Sequence, residues 1–224
     1  MKNSFSIATY NLWKNCGDFP KRIFKIADHL KNIDCICFQE DYHDNNFSSS
    51  DTINETLQYN KLTLPIREKK RNGEKSSSNL TILSKYEITL LENIYFNKNK
   101  EDERGTQIVQ LSVENKKIIL INTHLTNLNQ EQRIEQIRII KYTLEEYRSD
   151  ISIFCGDMNA TIESKEIKII KRCGYNSKNQ LPTYKDNLIL DYIFYKSNLN
   201  IDIDSKIIIK KHSDHYCLQN NFSW

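Results

Sequence analysis

The chain has 224 residues, 38% of them hydrophobic, with 32 Lys and Arg against 29 Asp and Glu for a formal net charge of +3. That suffices for one packed α/β unit, and the charge is too mild to announce a nucleic-acid binder by itself. The start, "MKNSFSIATYNLW", has no apolar run long enough for a signal peptide, and nothing approaches the ~20 apolar residues of a membrane span, so an intracellular chain, cytoplasmic or nuclear, is expected.

In chain order, "FSIATYNL" reads as an opening strand. Asp18 is then expected to cap a helix in "FPKRIFKIADHLKNI", with Pro20 in its first turn and Ile23, Ile26, Ala27 and Leu30 on one face. "DCICF" is a short buried strand stopped by Gln39 and Glu40, followed by a polar loop from Asp41 to Ser50 and a short helix in "DTINETLQY". Asn72-Gly73 in "REKKRNGEK" signals a hairpin turn, read as a solvated turn or as a basic finger touching phosphates.

"NLTILS", "EITLLENIYF", "GTQIVQLSV" and "KKIILINTHL" follow as strands, the last two joined tightly at Asn115-Lys116. Asn129 with Gln132 resembles a capping box opening "QEQRIEQIRIIKYTLEEYR", whose Ile134, Ile137, Ile140 and Leu144 share a face. Next come "ISIFC", a helix around Ile167 and Ile170 ended by Gly174, and strands at "LILDYIFY", "KIIIK" and "HYCLQNNF". No repeat, linker or boundary interrupts residues 1–224, so they read as one domain. Strands outnumber helices and run consecutively, which fits a mixed α/β sandwich better than a doubly wound parallel sheet. Cys16, Cys35, Cys37, Cys155, Cys173 and Cys217 form no C-x-x-C pair, so they read as core filling rather than a zinc site.

Several strands end on residues suited to a hard cation or a phosphate: Asn11 in "TYN", Glu40 in "QE", His124 in "NTHL", Asp157 and Asn159 in "GDMNA", and Asp191 in "LDYIF". Asp214 and His215 follow in "SDH". Packed strands place their ends along one rim, so these groups are expected to converge. Carboxylates and carboxamides without paired thiolates suit Mg²⁺, or Mn²⁺, better than zinc. The chemistry that needs such a rim is metal-assisted phosphoester hydrolysis.

In this order, "TYN", "QE", "RGT", "NTHL", "GDMNA", "LDYIF" and "SDH" resemble the endonuclease/exonuclease/phosphatase superfamily over residues 7 to 218. The resemblance implies the DNase I-like fold, a four-layer α/β sandwich of two mixed sheets flanked by helices. It implies Glu40 as principal metal ligand, with Asn11 and Asp214 beside it. Asp157 would align and deprotonate the attacking water, and Asn159 would bond to that water or to a phosphate oxygen. His215, oriented by Asp191, would contact the phosphoryl oxygens. His124 would sit on the same phosphate and supply a proton to the leaving group, and Arg104 would face the phosphate.

"NTHL" followed by "RIEQIR" resembles the branch holding sphingomyelinases, deadenylases and tyrosyl-DNA phosphodiesterases rather than exonuclease III. Two departures stand out: Trp13, where abasic endonucleases and tyrosyl-DNA phosphodiesterases usually carry an acid, and Ile189, where many relatives carry a base. Trp13 reads either as a stacking platform for a base or as an aromatic closing the core. The expected substrate is nucleic acid, cut by a nuclease or a strand-end-processing phosphodiesterase. The alternatives are a sphingomyelinase-like enzyme acting on a phospholipid head group, a small-phosphoester hydrolase, and an inactive binding module.

Overall fold

Alternation along the strands decides how this chain layers. The computed structural model describes residues 3–71, 73–96 and 104–224. Its first half contains β1 (Ser4–Asn11), α1 (Lys21–Phe24), α2 (Ala27–Leu30), β2 (Cys35–Asp44), α3 (Ser49–Leu57), β3 (Asn60–Arg71), β4 (Glu74–Ser84) and β5 (Thr89–Tyr95). The second half contains β6 (Gly105–Val113), β7 (Lys116–His124), α4 (Gln130–Leu144), β8 (Ile151–Asp157), α5 (Lys165–Arg172), β9 (Asp191–Ser197), β10 (Asp202–Ile209) and β11 (Cys217–Ser223). One sheet has six strands in the order β10-β11-β1-β2-β4-β3, the other five in the order β5-β6-β7-β8-β9.

Odd and even positions go to different layers. Phe5, Ile7, Cys35 and Cys37 meet Leu120, Ile153, Cys155 and Ile193 between the sheets. Ala8, Tyr10, Ile36 and Phe38 face the other way, onto Ile23, Ile26, Leu30 and Ile53. On the far side, Ile119, Ile121 and Phe154 pack against Ile137, Ile140, Ile167 and Ile170. Each fully buried Ile or Leu of this kind contributes about 1.5–3 kcal/mol. Central strands covered on both faces explain why their sequences read as near-continuous apolar runs. The result is helix, sheet, sheet, helix, as the sequence implied. Cys35, Cys37, Cys155 and Cys217 are buried free thiols, whereas Cys16 is exposed and Cys173 intermediate.

Four local readings change. The helix expected after Asp18 is two short ones, and its N-cap is Pro20; Asp18 contributes only its backbone carbonyl, to the Arg22 N–H. At the break the backbone takes three-residue bonds, from the Lys25 N–H to Arg22 and from the Ile26 N–H to Ile23, and the buried Arg22 guanidinium donates to the carbonyls of Trp13, Lys14, Cys16 and His212. β2 does not stop at Glu40: the ladder with β4 shifts between Phe38 and Asp41 and resumes to Asp44. β3 was not legible, because Pro65 and a charged run hide an edge strand. The β6–β7 hairpin turns on Glu114 and Asn115, both at positive φ, one residue earlier than expected.

At the helix α4 terminus Asn129 accepts from the Gln132 N–H, but the reciprocal half of the capping box is missing. The turn expected at Asn72-Gly73 joins β3 to β4; Asn72 lies outside the described residues, as do residues 97–103 of the charged segment ahead of Arg104.

Candidate active site

Strand register builds the site. β7 and β8 run parallel and β9 antiparallel to β8, so His124, Asp157 and Asp191 fall opposite one another in a row. In the other sheet β1 and β2 are parallel with Asn11 beside Gln39, which puts Glu40 one residue past the end of β1. His215 lies two residues before β11. Five of the expected residues thus reach strand ends through register, and His215 joins them from the loop just before β11.

Asp157 is the hub. Its Oδ2 accepts from Asn11 Nδ2 at 3.0 Å and lies 3.3 Å from His124 Nε2 and 3.7 Å from His215 Nε2. Its Oδ1 accepts the Asn159 backbone N–H at 2.9 Å. The Asn159 amide donates to the Leu125 carbonyl at 2.9 Å, and its backbone is left-handed, a conformation Asn tolerates. Burial would raise the Asp157 pKa, but the charge of His215 and the hydrogen bonds from His124 and the Asn159 N–H hold it well below the usual carboxylate range.

His215 Nδ1 lies 2.8 Å from Asp191 Oδ2. Burial would lower the pKa of this imidazole, yet Asp191 and Asp157, with Asp214 adding, raise it to about 10. Burial raises Asp191 to about 6, against the pull of His215. At neutral pH the three therefore form a carboxylate–imidazolium–carboxylate relay. Behind it, Thr183 Oγ1 accepts the Asp191 N–H, the Tyr184 ring meets the imidazole edge-on at 4.6 Å, and Ser213 Oγ ties the Asn11 carbonyl and the His215 N–H.

His124 is the opposite case. Burial and the nearby Arg104 charge lower its pKa. Arg104 NH1 lies 3.4 Å from Nδ1 while Nε2 faces Asp157, which assigns the neutral tautomer protonated on Nε2.

Glu40 sits on the β2 bulge at φ 53, a strained conformation for a non-glycine residue. Its carboxylate pairs with Lys14 Nζ at 3.3 Å. Asn11 Oδ1 accepts the Trp13 N–H at 2.9 Å, and Asp214 Oδ1 takes a 3.3 Å hydrogen bond from Ser213. The Trp13 indole lies against Gly17 and under the Arg22 guanidinium, 5.8 Å from the ring centroid, as a partly buried packing residue.

Two sets of residues deserve testing as a cation site. Ligand atoms of Asp157, Asp191 and His215 lie within 4.8 Å of one another. An imidazolium is no ligand, however, and a cation there would have to expel the shared proton. Glu40, Asn11 and Asp214 offer hard oxygens, and the ammonium of Lys14 already stands on Glu40 as a positive partner, so the donor chemistry of this set suits a hard divalent cation.

Sequence reasoning missed Lys14, Thr183 and Tyr184. Each acts through a partner distant in the chain or through a loop of no recognisable pattern; Ser213 was visible only as part of "SDH".

No curated protein sequence matches the chain. Among solved structures, an endonuclease/exonuclease/phosphatase family protein from Leptotrichia buccalis superposes with a TM-score of 0.80 at 19% identity, covering 98% of this chain and 100% of that one. A TDP2 from D. rerio, humanized by 14 mutations, gives 0.73 at 19% identity, with 98% of both chains covered. A mannosyl-6-phosphatase from Bacteroides thetaiotaomicron gives 0.75 at 13% identity, covering 98% of this chain and 100% of that one. These likenesses establish the DNase I-like fold. The model of the Endonuclease/Exonuclease/phosphatase family matches residues 8–215, and the chain belongs to that family.

Proposed function

We propose that this chain is a divalent-metal-dependent phosphodiester hydrolase acting on nucleic acid, as a nuclease or as an enzyme that processes strand ends. The observation supporting this reading is the Asp157 hub, an ionised carboxylate flanked by one imidazolium and one neutral imidazole.

Asp157 Oδ2 is crowded by Asn11, His124 and His215, whereas Oδ1 holds only the Asn159 N–H. A carboxylate oxygen has room for a second donor, so Oδ1 is where an attacking water is oriented and its proton received. His215, positive and fixed by Asp191, contributes charge to phosphoryl oxygens as the transition state develops. His124 is neutral and buried, so it donates a hydrogen bond rather than acting as the leaving group's acid. Arg104 stands behind it as a further cation. Glu40, Asn11 and Asp214 would hold the divalent ion, which supplies Lewis-acid neutralisation of the phosphoryl oxygens when bound. An inactive binding module is disfavoured because Asn11, Glu40, His124, Asp157, Asn159, Asp191, Asp214 and His215 are all present.

The test is a substrate panel of labelled DNA and RNA, a 5′-phosphotyrosyl oligonucleotide, sphingomyelin and a sugar phosphate, each with Mg²⁺ and with EDTA. Mg²⁺-dependent cleavage of a nucleic-acid substrate is expected. Turnover of the lipid or the sugar phosphate alone would overturn the substrate class, and undiminished turnover in EDTA the metal requirement.

A further inference from the structure

A groove of about 210 Å³ lies beside the candidate centre, between the loop after β1 and the β3–β4 ribbon. Lys14, Arg67, Lys69 and Lys75 line it with Asp44 and Glu74. Asp44 stays anionic, and its oxygens accept from the Tyr42 hydroxyl at 2.9 Å and from the Asn46 and Phe47 N–H groups, each at 2.8 Å, rather than pairing with Arg67 or Lys75. Among the described residues, the side chains of Arg67 and Lys75 make no hydrogen bond or ion pair. The Nε of Arg67 is also shielded from solvent without an acceptor, a donor that is costly to leave unmade.

We propose that this groove binds a non-scissile phosphate of a nucleic-acid strand, with Arg67 as its principal donor and Lys75 and Lys14 as supporting cations. The inference rests on the phosphodiesterase reading above and adds a subsite to it. A guanidinium fork matches two phosphate oxygens, which a point-charge ammonium does not. Arg67 and Lys69 are two residues apart on β3 and so share a face, opposite Ser78 and Ser76 of β4, whose hydroxyls also line the groove. Lys14 links the two places: its ammonium is 3.3 Å from Glu40 and also lines the groove. A strand held at Asp157 therefore passes Lys14 to reach Arg67, which suits a polymer with repeated phosphates better than a single head group.

The test is fluorescence anisotropy with labelled single-stranded DNA and RNA oligonucleotides in EDTA, so that binding is read without turnover. Arg67→Gln is expected to weaken binding about tenfold and to lower the slope of log K against log salt by about one. Lys75→Gln, at an exposed position, should give a smaller loss of the same sign, and Arg67→Lys should restore the salt slope without the full affinity. Unchanged melting temperatures would confirm folding. Unaltered affinity and salt slope in both Gln variants, or no binding of either polymer by the parent chain, would overturn the groove. A parent chain that binds in this way yet cleaves no diester would leave the groove standing and remove the hydrolase reading.

Discussion

His215 and Asp191 share a 2.8 Å contact at the start of β9, with Asp157 on the other imidazole nitrogen at 3.7 Å. With Asp191 at about 6 and His215 at about 10, both are charged only between those values. The expected kcat/KM profile is a plateau from about pH 6 to pH 10 that falls on either side. Asp191→Asn should cut the rate about 10²-fold or more and move the alkaline limb to lower pH, since His215 then loses an anionic partner. An alkaline limb that stays in place would show that Asp191 does not set the His215 charge.

The same contact bears on stability. His215 has a folded pKa raised above its ordinary 6.5, so its contribution is full below about 6.5 and is lost as pH rises through about 10. The melting temperature of the parent should therefore exceed that of His215→Gln more at pH 6 than at pH 10.5. A gap that widens with pH would reverse the assigned sign.

Asp157→Asn keeps the shape of the hub but removes the charge that receives a proton. Turnover should drop by about 10²–10⁴-fold while the circular dichroism spectrum stays that of the parent. Near-normal phosphodiesterase activity in the purified variant would dismiss Asp157 as the acceptor.

Glu40 and Lys14 predict opposite responses to metal. Glu40→Gln should abolish Mn²⁺ binding measured by calorimetry. Lys14→Met removes an ammonium competing for the same carboxylate and should tighten Mn²⁺ binding, by about tenfold on simple Coulomb grounds. Equal affinities in all three proteins would place the ion elsewhere.

Gly156 precedes the hub at φ +134, and a Cβ there would overlap the Thr123 carbonyl of β7. Gly156→Ala should destabilise the protein by at least about 1–3 kcal/mol in urea titration, because β7 and β8 would have to separate. A variant as stable as the parent would mean that the strands part freely at this point.

Much of the site was legible because metal and phosphate chemistry restrict residue types at strand ends. "GDMNA" shows its Asp and Asn whatever the surroundings. Lys14 shows nothing comparable, since a lysine after Trp13 looks like ordinary surface until the fold sets it on Glu40, while "REKKRNGEK" reads as a solvated turn or a phosphate-touching finger until the fold buries the Nε of Arg67. Between the sheets, Gln39 donates to Asn122 Oδ1 at 2.8 Å and joins β2 to β7 beneath the site. Neither residue could be paired from sequence, since 83 positions separate them.

The mixed α/β sandwich, the chemistry at the strand ends and the family resemblance could be read before any coordinates, because side-chain alternation and residue identity are local properties. Which histidine carries the charge emerges from the packed sheets. His124 and His215 are the same residue at similar burial, and they differ in their neighbours: burial with Arg104 beside it keeps one neutral, while Asp191 and Asp157 overcome burial and hold the other protonated. Proton affinity follows from distances between groups far apart in the chain, and those distances exist only once the sheets have packed.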